Sequence, residues 1–314
     1  MKATRAPIPF GRRLPPTGPA SKLEDWQQAN PVWITNALRH ARALPATGWT
    51  VVDASRAIGR KPRRYRLAGK DYVVWRSSAG LLVARDVCPH LGASLASGKL
   101  SGDAIVCPWH GLRLGPSGHG AWKPLPVYDD GVLLWAALDP QAQRLDHPVL
   151  HPRPERCFAA VIRKEARCDP ADILANRLDP WHGVHYHPHS FGRLRVMQQD
   201  EDAIVVRVVY RVVGRYGVEV DARFHCSDPE PIVMTILRGE GEGSVVETHA
   251  APVDIGRTAV VEATLATSDR RGFWIAVGLL GRILHPLVRR AAFRLWRDDA
   301  AYAERLYSLR QGEV

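Results

Sequence analysis

Two segments, Cys88-Pro89-His90-Leu91-Gly92 and Cys107-Pro108-Trp109-His110-Gly111, organise this chain, with sixteen residues between His90 and Cys107. Together they offer two thiols and two imidazoles. That is the ligand set of a [2Fe–2S] centre in which two imidazoles replace two thiolates on one iron. Thiolate holds ferric iron and delocalises charge. Neutral imidazole lessens the negative charge on the cluster and raises its potential to roughly −150 to +300 mV, against about −400 mV for an all-Cys cluster. Pro89 and Pro108 fix φ and remove a backbone donor, as tight turns require. A structural Cys2His2 zinc site would pair like ligands, two Cys before two His. Here each arm mixes one Cys with one His, which favours iron–sulfur chemistry.

Cys-Pro-His-x-Gly followed by Cys-Pro-Trp-His-Gly resembles the N-terminal domain of the Rieske non-haem iron oxygenases. The resemblance implies an oxygenase component in which Cys88, His90, Cys107 and His110 hold the [2Fe–2S] cluster. It also implies a second, mononuclear ferrous site of two His and one carboxylate, with positions left open for dioxygen and substrate.

Asn176-Arg-Leu-Asp179-Pro-Trp-His182-Gly-Val-His185-Tyr-His187-Pro-His189 supplies the histidines. The spacing of an acid, a His three later and a His five after that resembles the family pattern and maps onto Asp179, His182 and His187. Helix geometry pulls the other way, because positions i and i+3 share a face and would pair His182 with His185. Gly183 and Pro188 predict an irregular helix ending near His187, which would bring that ring round. His187 is therefore expected as the ligand, with His185 as the alternative. The family's third ligand sits on the last helix in an acidic pair followed by Glu. Here that is Asp298-Asp299 with Glu304, and the resemblance favours Asp299 over Asp298. By the same resemblance Asp179 binds no iron. It bridges a cluster His of one subunit, here His110, to an iron His of the next, here His182, and so fixes tautomer and couples the sites. Such a head-to-tail interface closes into a ring, so a homotrimer is implied.

The rest of the chain fits two domains. At 314 residues, 46% hydrophobic and 24% charged, it has globular composition. Beyond Cys88 and Cys107 only Cys157, Cys168 and Cys226 remain, a scattered remainder that fits reduced thiols in a cytoplasm. Residues 1–16 lack an apolar core, so no secretory signal is read there. Net charge is +11 and pI about 9.8. The basic residues are spread along the chain with no aromatic-interleaved motif, so nucleic acid is not expected. A solvated surface or docking of an acidic electron donor such as a ferredoxin accounts for the charge.

Residues 1–44 read as a Pro/Gly/Arg-rich arm over 1–20 and helical periodicity from Ser21 to Leu44. Residues 45–140 read as an antiparallel β domain of short strands, at Trp49–Asp53, Asp71–Arg76, Leu81–Arg85, Ala104–Val106, Leu112–Leu114 and Val132–Ala136, with turns at Ser77–Gly80 and Asp129–Gly131. Pro140 to Pro154 is a proline-rich linker. Residues 155–314 begin with a strand at Cys157–Lys164 and a helix whose N-cap is Asp169 with Pro170 at its first position. Strands follow at Ala203–Val213, Val218–His225, Ile232–Leu237, Ser244–Ala250 and Thr258–Thr267, then a long helix from Pro286 to Leu309. Gly239-x-Gly241-x-Gly243 lies between two expected strands and reads as a hairpin turn, not a nucleotide loop. The whole is an α+β chain: a Rieske β domain, then what resembles the family's helix-grip sheet with a long C-terminal helix.

The reading is a terminal oxygenase that uses dioxygen and electrons from NAD(P)H, delivered by a separate reductase or ferredoxin, to hydroxylate, desaturate or demethylate a substrate. The apolar run Phe273–Leu284 and the arginines after it imply a bulky lipophilic substrate, terpenoid, carotenoid or steroid-like. They also suggest an entrance on the inner membrane surface, although as a pocket wall and buried helix face they have an ordinary structural explanation. Two other classes are carried: an electron carrier with a scaffold domain, and a helix-grip lipid-binding module with a vestigial site.

Overall fold

The computed structural model describes residues 8–11, 14, 30–42, 47–138, 145–213, 215–226 and 231–313. Most of the expected arm, and the expected helix before Asn30, lie outside the described residues. After β1 (Ile8–Phe10) comes α1 (Pro31–Arg42), which begins where Pro31 can take the first helical position and the Asn30 side chain accepts the Trp33 N–H at 3.1 Å.

Nine short segments build the N-terminal domain. They are β2 (Thr50–Ala54), β3 (Arg63–Leu67), β4 (Lys70–Ser77), β5 (Gly80–Arg85), β6 (Lys99–Ser101), β7 (Ala104–Val106), β8 (Arg113–Leu114), β9 (Val127–Asp129) and β10 (Leu133–Ala136); β1 belongs elsewhere. They form three antiparallel sheets, ordered β2-β10-β9, β3-β4-β5 and β6-β7-β8. One Cys loop follows β5 and the other joins β7 to β8. Beneath them lies an apolar bed of Trp75, Leu95, Ile105, Leu114 and Trp122. Three strands, β3, β6 and β9, have no counterpart among the expected ones; β3 is Arg-Arg-Tyr-Arg-Leu, and only Tyr65 and Leu67 are buried.

The second domain runs β11 (Phe158–Ala166), α2 (Pro170–Arg177), α3 (Trp181–Tyr186), β12 (Phe191–Gln199), β13 (Ala203–Val213), β14 (Tyr216–His225), β15 (Pro231–Gly239), β16 (Val245–Asp254), β17 (Arg257–Ala266) and α4 (Arg271–Gln311). The antiparallel order is β11-β17-β16-β15-β14-β13-β12, with β1 added parallel to the start of β14. The glycine run makes the expected β15–β16 turn. All three glycines have positive φ, and a Cβ at Gly239 would lie 2.4 Å from the Glu219 carbonyl oxygen. Helices α1, α2 and α4 pack on the sheet through Ala37, Ala41, Ile173, Leu174, Trp296 and Ala300.

One boundary differs by a wide margin. The last helix starts at Arg271, not Pro286, and holds Pro286 in its interior. Proline there removes one hydrogen bond, to the carbonyl of Arg282. Both residues are exposed, so water can satisfy that carbonyl and the helix continues.

The domains are joined by apolar packing of Trp49, Val51, Leu133 and Trp135 against Val161, Val261 and Ala263. A buried ionic knot adds direction. Arg153 forks onto Glu247 at 2.6 and 2.7 Å and reaches Asp130 at 3.1 Å. Burial would raise Glu247, but Arg153 and His249 outweigh it and hold the carboxyl down at about 2.

Candidate metal centres

The two Cys loops have one design. In each, the Cys N–H donates to the carbonyl five residues on (Ala93, Leu112), and the Gly N–H four residues on (Gly92, Gly111) donates back to the Cys carbonyl, all at 2.9–3.0 Å. Both glycines are left-handed, with φ of 83° and 76°, which a Cβ would oppose. Asp86 pins the first loop, accepting from Ser94 Oγ and Ala96 N at 2.7 Å each. The loops turn both sulfurs inward and both rings outward. Cys88 and Cys107 are buried, while the His90 and His110 rings meet edge to face at 4.8 Å. Burial raises both thiols. At Cys107 the N–H groups of Trp109 and His110 outweigh it and lower the thiol, whereas Cys88, beside Cys107, stays raised despite N–H groups of His90 and Leu91. Paired thiols under backbone donors, two exposed imidazoles and an apolar floor fit a [2Fe–2S] cluster.

The second centre lies at the junction of α2, α3 and α4. Asp169 and Pro170 open α2 as expected, the Asp169 N–H donating to Asp172 at 3.0 Å. Asn176 is then fully buried in its last turn. Helix α3 stops at His187, just before Pro188, and His187 leaves helical geometry (φ −119°, ψ 53°). That break swings the i+5 ring into line with His182. His182 Nε2 and His187 Nε2 both face Asp299 Oδ1, at 3.1 and 2.7 Å. His187 and Asp299 are buried and His182 nearly so. His182, His187 and Asp299 thus converge on one point, with donor atoms within 4.8 Å of one another. His185 is exposed and outside this group. Asp298 sits beside the other ring nitrogen, 3.8 Å from His187 Nδ1, and could form a shallower group with His187 and His189. Glu304 is elsewhere, accepting the Arg167 N–H at 2.9 Å.

Charge follows geometry. Burial would lower His182, but Asp179 and Asp299 outweigh it and raise the imidazole to about 9. Asp299 is held far below the ordinary carboxylate range, because His182 and His187 outweigh its burial. A carboxylate facing two imidazole nitrogens in a dry site suits a divalent cation, and two His plus one carboxylate with open positions fits non-haem iron. His182 Nδ1–H donates to the Asp179 carbonyl oxygen, which assigns Nε2, facing Asp299, as the nitrogen that would bind a cation. The Asp179 carboxylate is buried, with one oxygen 3.7 Å from His182 Nδ1 and the other, Oδ1, without a partner among the described residues.

Two participants carried no role in the sequence reading. Asn176 Nδ2 lies 3.3 Å from both His182 Nε2 and Asp299 Oδ1. Tyr302 stacks on His182 at 5.3 Å, and burial with Asp179 pushes its hydroxyl to about 12. Spacing held a signal for both: Asn176 and Asp179, like Asp299 and Tyr302, are i and i+3 neighbours.

Beside the convergence point is a small cavity of about 30 Å³, lined by Phe191, Leu194, Val206, Val208 and Phe224. A larger one of about 240 Å³ shares Arg177, Phe191, Tyr210 and Phe224 with it and extends to Val288, Ala291, Ala292 and Leu295 of α4. The expected pocket wall therefore comes from the half of the helix after Pro286; Phe273–Leu284 lines neither cavity.

A family model described as Rieske [2Fe-2S] domain matches residues 48–129, and one described as Domain of unknown function (DUF5914) matches residues 139–314. The chain belongs to the DUF5914 family, joined to a Rieske domain. Among curated proteins it is similar to the oxygenase component of 3-ketosteroid-9-alpha-monooxygenase of Rhodococcus rhodochrous, 35% identical over 29% of this chain and 23% of that one. It is also similar to the vanillate O-demethylase oxygenase subunit of Pseudomonas sp. (strain HR199 / DSM 7063), 26% identical over 63% of this chain and 58% of that one. The matched regions thus span under two thirds of these relatives. Its fold is that of dicamba monooxygenase, with a TM-score of 0.60 at 17% identity, covering 84% of this chain and 88% of that one. The terminal oxygenase of carbazole 1,9a-dioxygenase from Novosphingobium sp. KA1 matches with a TM-score of 0.56 at 15% identity, over 90% and 88%. The N-terminal match is thus to a Rieske [2Fe-2S] domain, the overall fold is shared with the two oxygenases of known structure, and the two residue sets described above fit a [2Fe–2S] cluster and a mononuclear iron.

Proposed function

We propose that this chain is the terminal oxygenase of a Rieske system, taking electrons from NAD(P)H through a separate ferredoxin or reductase and acting on a bulky lipophilic substrate. The observation that carries this is the convergence of His182, His187 and Asp299 beside an apolar cavity. When bound, the cluster supplies single electrons and the mononuclear iron activates dioxygen. Cys88, His90, Cys107 and His110 would hold the first; His182, His187 and Asp299 the second. Asn176 steadies Asp299, and the Asp179 carbonyl keeps the proton of His182 on Nδ1. Phe191, Val208, Tyr210 and Phe224 exclude water and orient an apolar substrate by shape. A terpenoid, carotenoid or steroid skeleton suits such walls, and the name of the Rhodococcus relative is in keeping with that.

The Asp179 carboxylate lies at the edge of the site, its side chain 11% exposed. In a ring of subunits, most simply a homotrimer, it would take a hydrogen bond from a cluster imidazole of a neighbouring copy. Asp179→Asn should then keep both metals but slow reoxidation of the reduced cluster in single turnover by about 10–100-fold. Reoxidation at the wild-type rate would remove the bridging role. The function itself is tested by metal content and oxygen uptake. One mononuclear iron beyond the two cluster irons, with NADH-dependent oxygen uptake on adding a reductase, is expected. Cluster iron alone, with no uptake, would leave an electron carrier.

A further inference from the structure

We infer that the first half of α4 is a docking face for an anionic lipid surface. No helix of the described residues is long and apolar enough to cross a membrane, so the contact would be with a surface. The helix is 41 residues long, yet its first four turns carry large apolar side chains in the open. Ile275, Leu279, Ile283 and Leu287 recur every fourth residue at 60, 79, 60 and 56% exposure, and Leu280 flanks them at 48%. Four-residue spacing places them along one face. A Cβ built on Gly278 or Gly281 meets no atom within 4 Å, so this stretch is open to solvent on those sides too. Contiguous exposed apolar surface of this kind marks an interaction site.

Charge selects the occupant. Between Arg271 and Arg297 there are six arginines and no acidic residue. Beyond Leu287 the same helical face continues as Arg290 and Arg294, both exposed, and ends at Arg297, which is exposed but paired with Asp298 at 3.1 Å. An apolar stripe running into an arginine-only stripe fits a bilayer boundary, with leucines among the acyl chains and guanidinium groups at anionic phosphates. A two-fold contact with a second copy fits poorly, because it would set this cationic face against itself, and like charges opposed across an interface are costly; a head-to-tail contact is separated from lipid docking by the oligomeric state measured below.

Position ties the face to the site. Val288, Ala291, Ala292 and Leu295, on the other side of the same helix, wall the 240 Å³ cavity. A helix seated on a bilayer would bring that cavity to where a lipophilic substrate dissolves. This delivery role rests on the oxygenase reading above; the docking does not.

The test is co-sedimentation of the full metal-loaded protein with phosphatidylglycerol-containing vesicles and with pure phosphatidylcholine vesicles. Binding to the anionic vesicles is expected at low salt, weakening as salt shortens the screening length, with little on neutral ones. Leu279→Ser/Ile283→Ser should lower the bound fraction about tenfold or more, and Arg290→Gln/Arg294→Gln should act in the same direction. Both pairs are exposed, and unchanged far-UV circular dichroism and mononuclear iron content, which needs Asp299 of the same helix, show that the variants fold. No sedimentation at low salt overturns the proposal. So does binding that ignores the Leu279/Ile283 change, or a fall in oligomeric state in that variant with vesicle binding intact, which would make the face an interface between copies. None of these outcomes bears on oxygen uptake, so the docking and oxygenase readings fail separately.

Discussion

His187→Ala and Asp299→Ala are each expected to lose the mononuclear iron and keep the cluster, while His185→Ala keeps both. His187 and Asp299 are buried and their facing atoms are 2.7 Å apart, so each removal takes one of three converging donors from a site that solvent cannot fill. The loss of affinity should exceed the ~10–100-fold cost of removing an outer partner. The cluster ligands belong to a different domain with its own apolar bed, so visible absorption should not change. Iron per chain, measured beside the cluster spectrum, decides it. Iron lost in His185→Ala and retained in His187→Ala would mean that the ring at i+3 is the ligand and the break at His187 is incidental.

That contrast also shows what the sequence could convey. A regular helix would have paired His182 with His185. Only Gly183, where the chain passes close to Phe191, and Pro188, which ends the helix, signal that His187 turns inward. Those are local cues, and local cues are readable: the Cys loops, the Asp169-Pro170 helix start, the glycine turn and six strands of the large sheet. β12 has no clear signal in the sequence, because its residues follow directly on the histidine run, and its pattern, Phe-Gly-Arg-Leu-Arg-Val-Met-Gln-Gln, is mostly polar at the far end. The start of α4 is hidden in the sequence because Pro286 has the form of a first-turn residue, the commonest helical position of proline, yet lies inside the helix. Whether an amphipathic stretch packs or stays open depends on what lies across from it, and periodicity alone does not report that.

The least legible feature is a buried ion pair, and its removal should have the largest effect on stability. Arg177, the last residue of α2, donates to Glu262 on β17 at 2.9 Å and to Thr248 on β16 at 3.2 Å. Trp296 of α4 donates to the same Glu262 oxygen at 2.7 Å. The partners are 85 residues apart, and Glu262 reads in sequence as the polar half of an alternating strand. Yet it is almost fully buried, because helices cover that face of the sheet. Burial raises its carboxyl above the ordinary value of 4.5, and Arg177 is the largest opposing cause. Arg177→Met should leave that charge uncompensated and cost ~3–5 kcal/mol, a fall of roughly 6–20 °C in Tm for a domain of this size. Arg177→Met/Glu262→Leu should regain most of it, since removing both partners is often neutral. The pH dependence has a definite sign. A carboxyl whose folded value is raised contributes stability that is present below 4.5 and lost as pH rises through the folded value. The deficit of Arg177→Met should therefore shrink as pH falls toward 4.5. A Tm within 2–3 °C of wild type, or a deficit that deepens on acidification, would mean that Glu262 is neutral in the native protein and Arg177 serves only to shape the cavity wall.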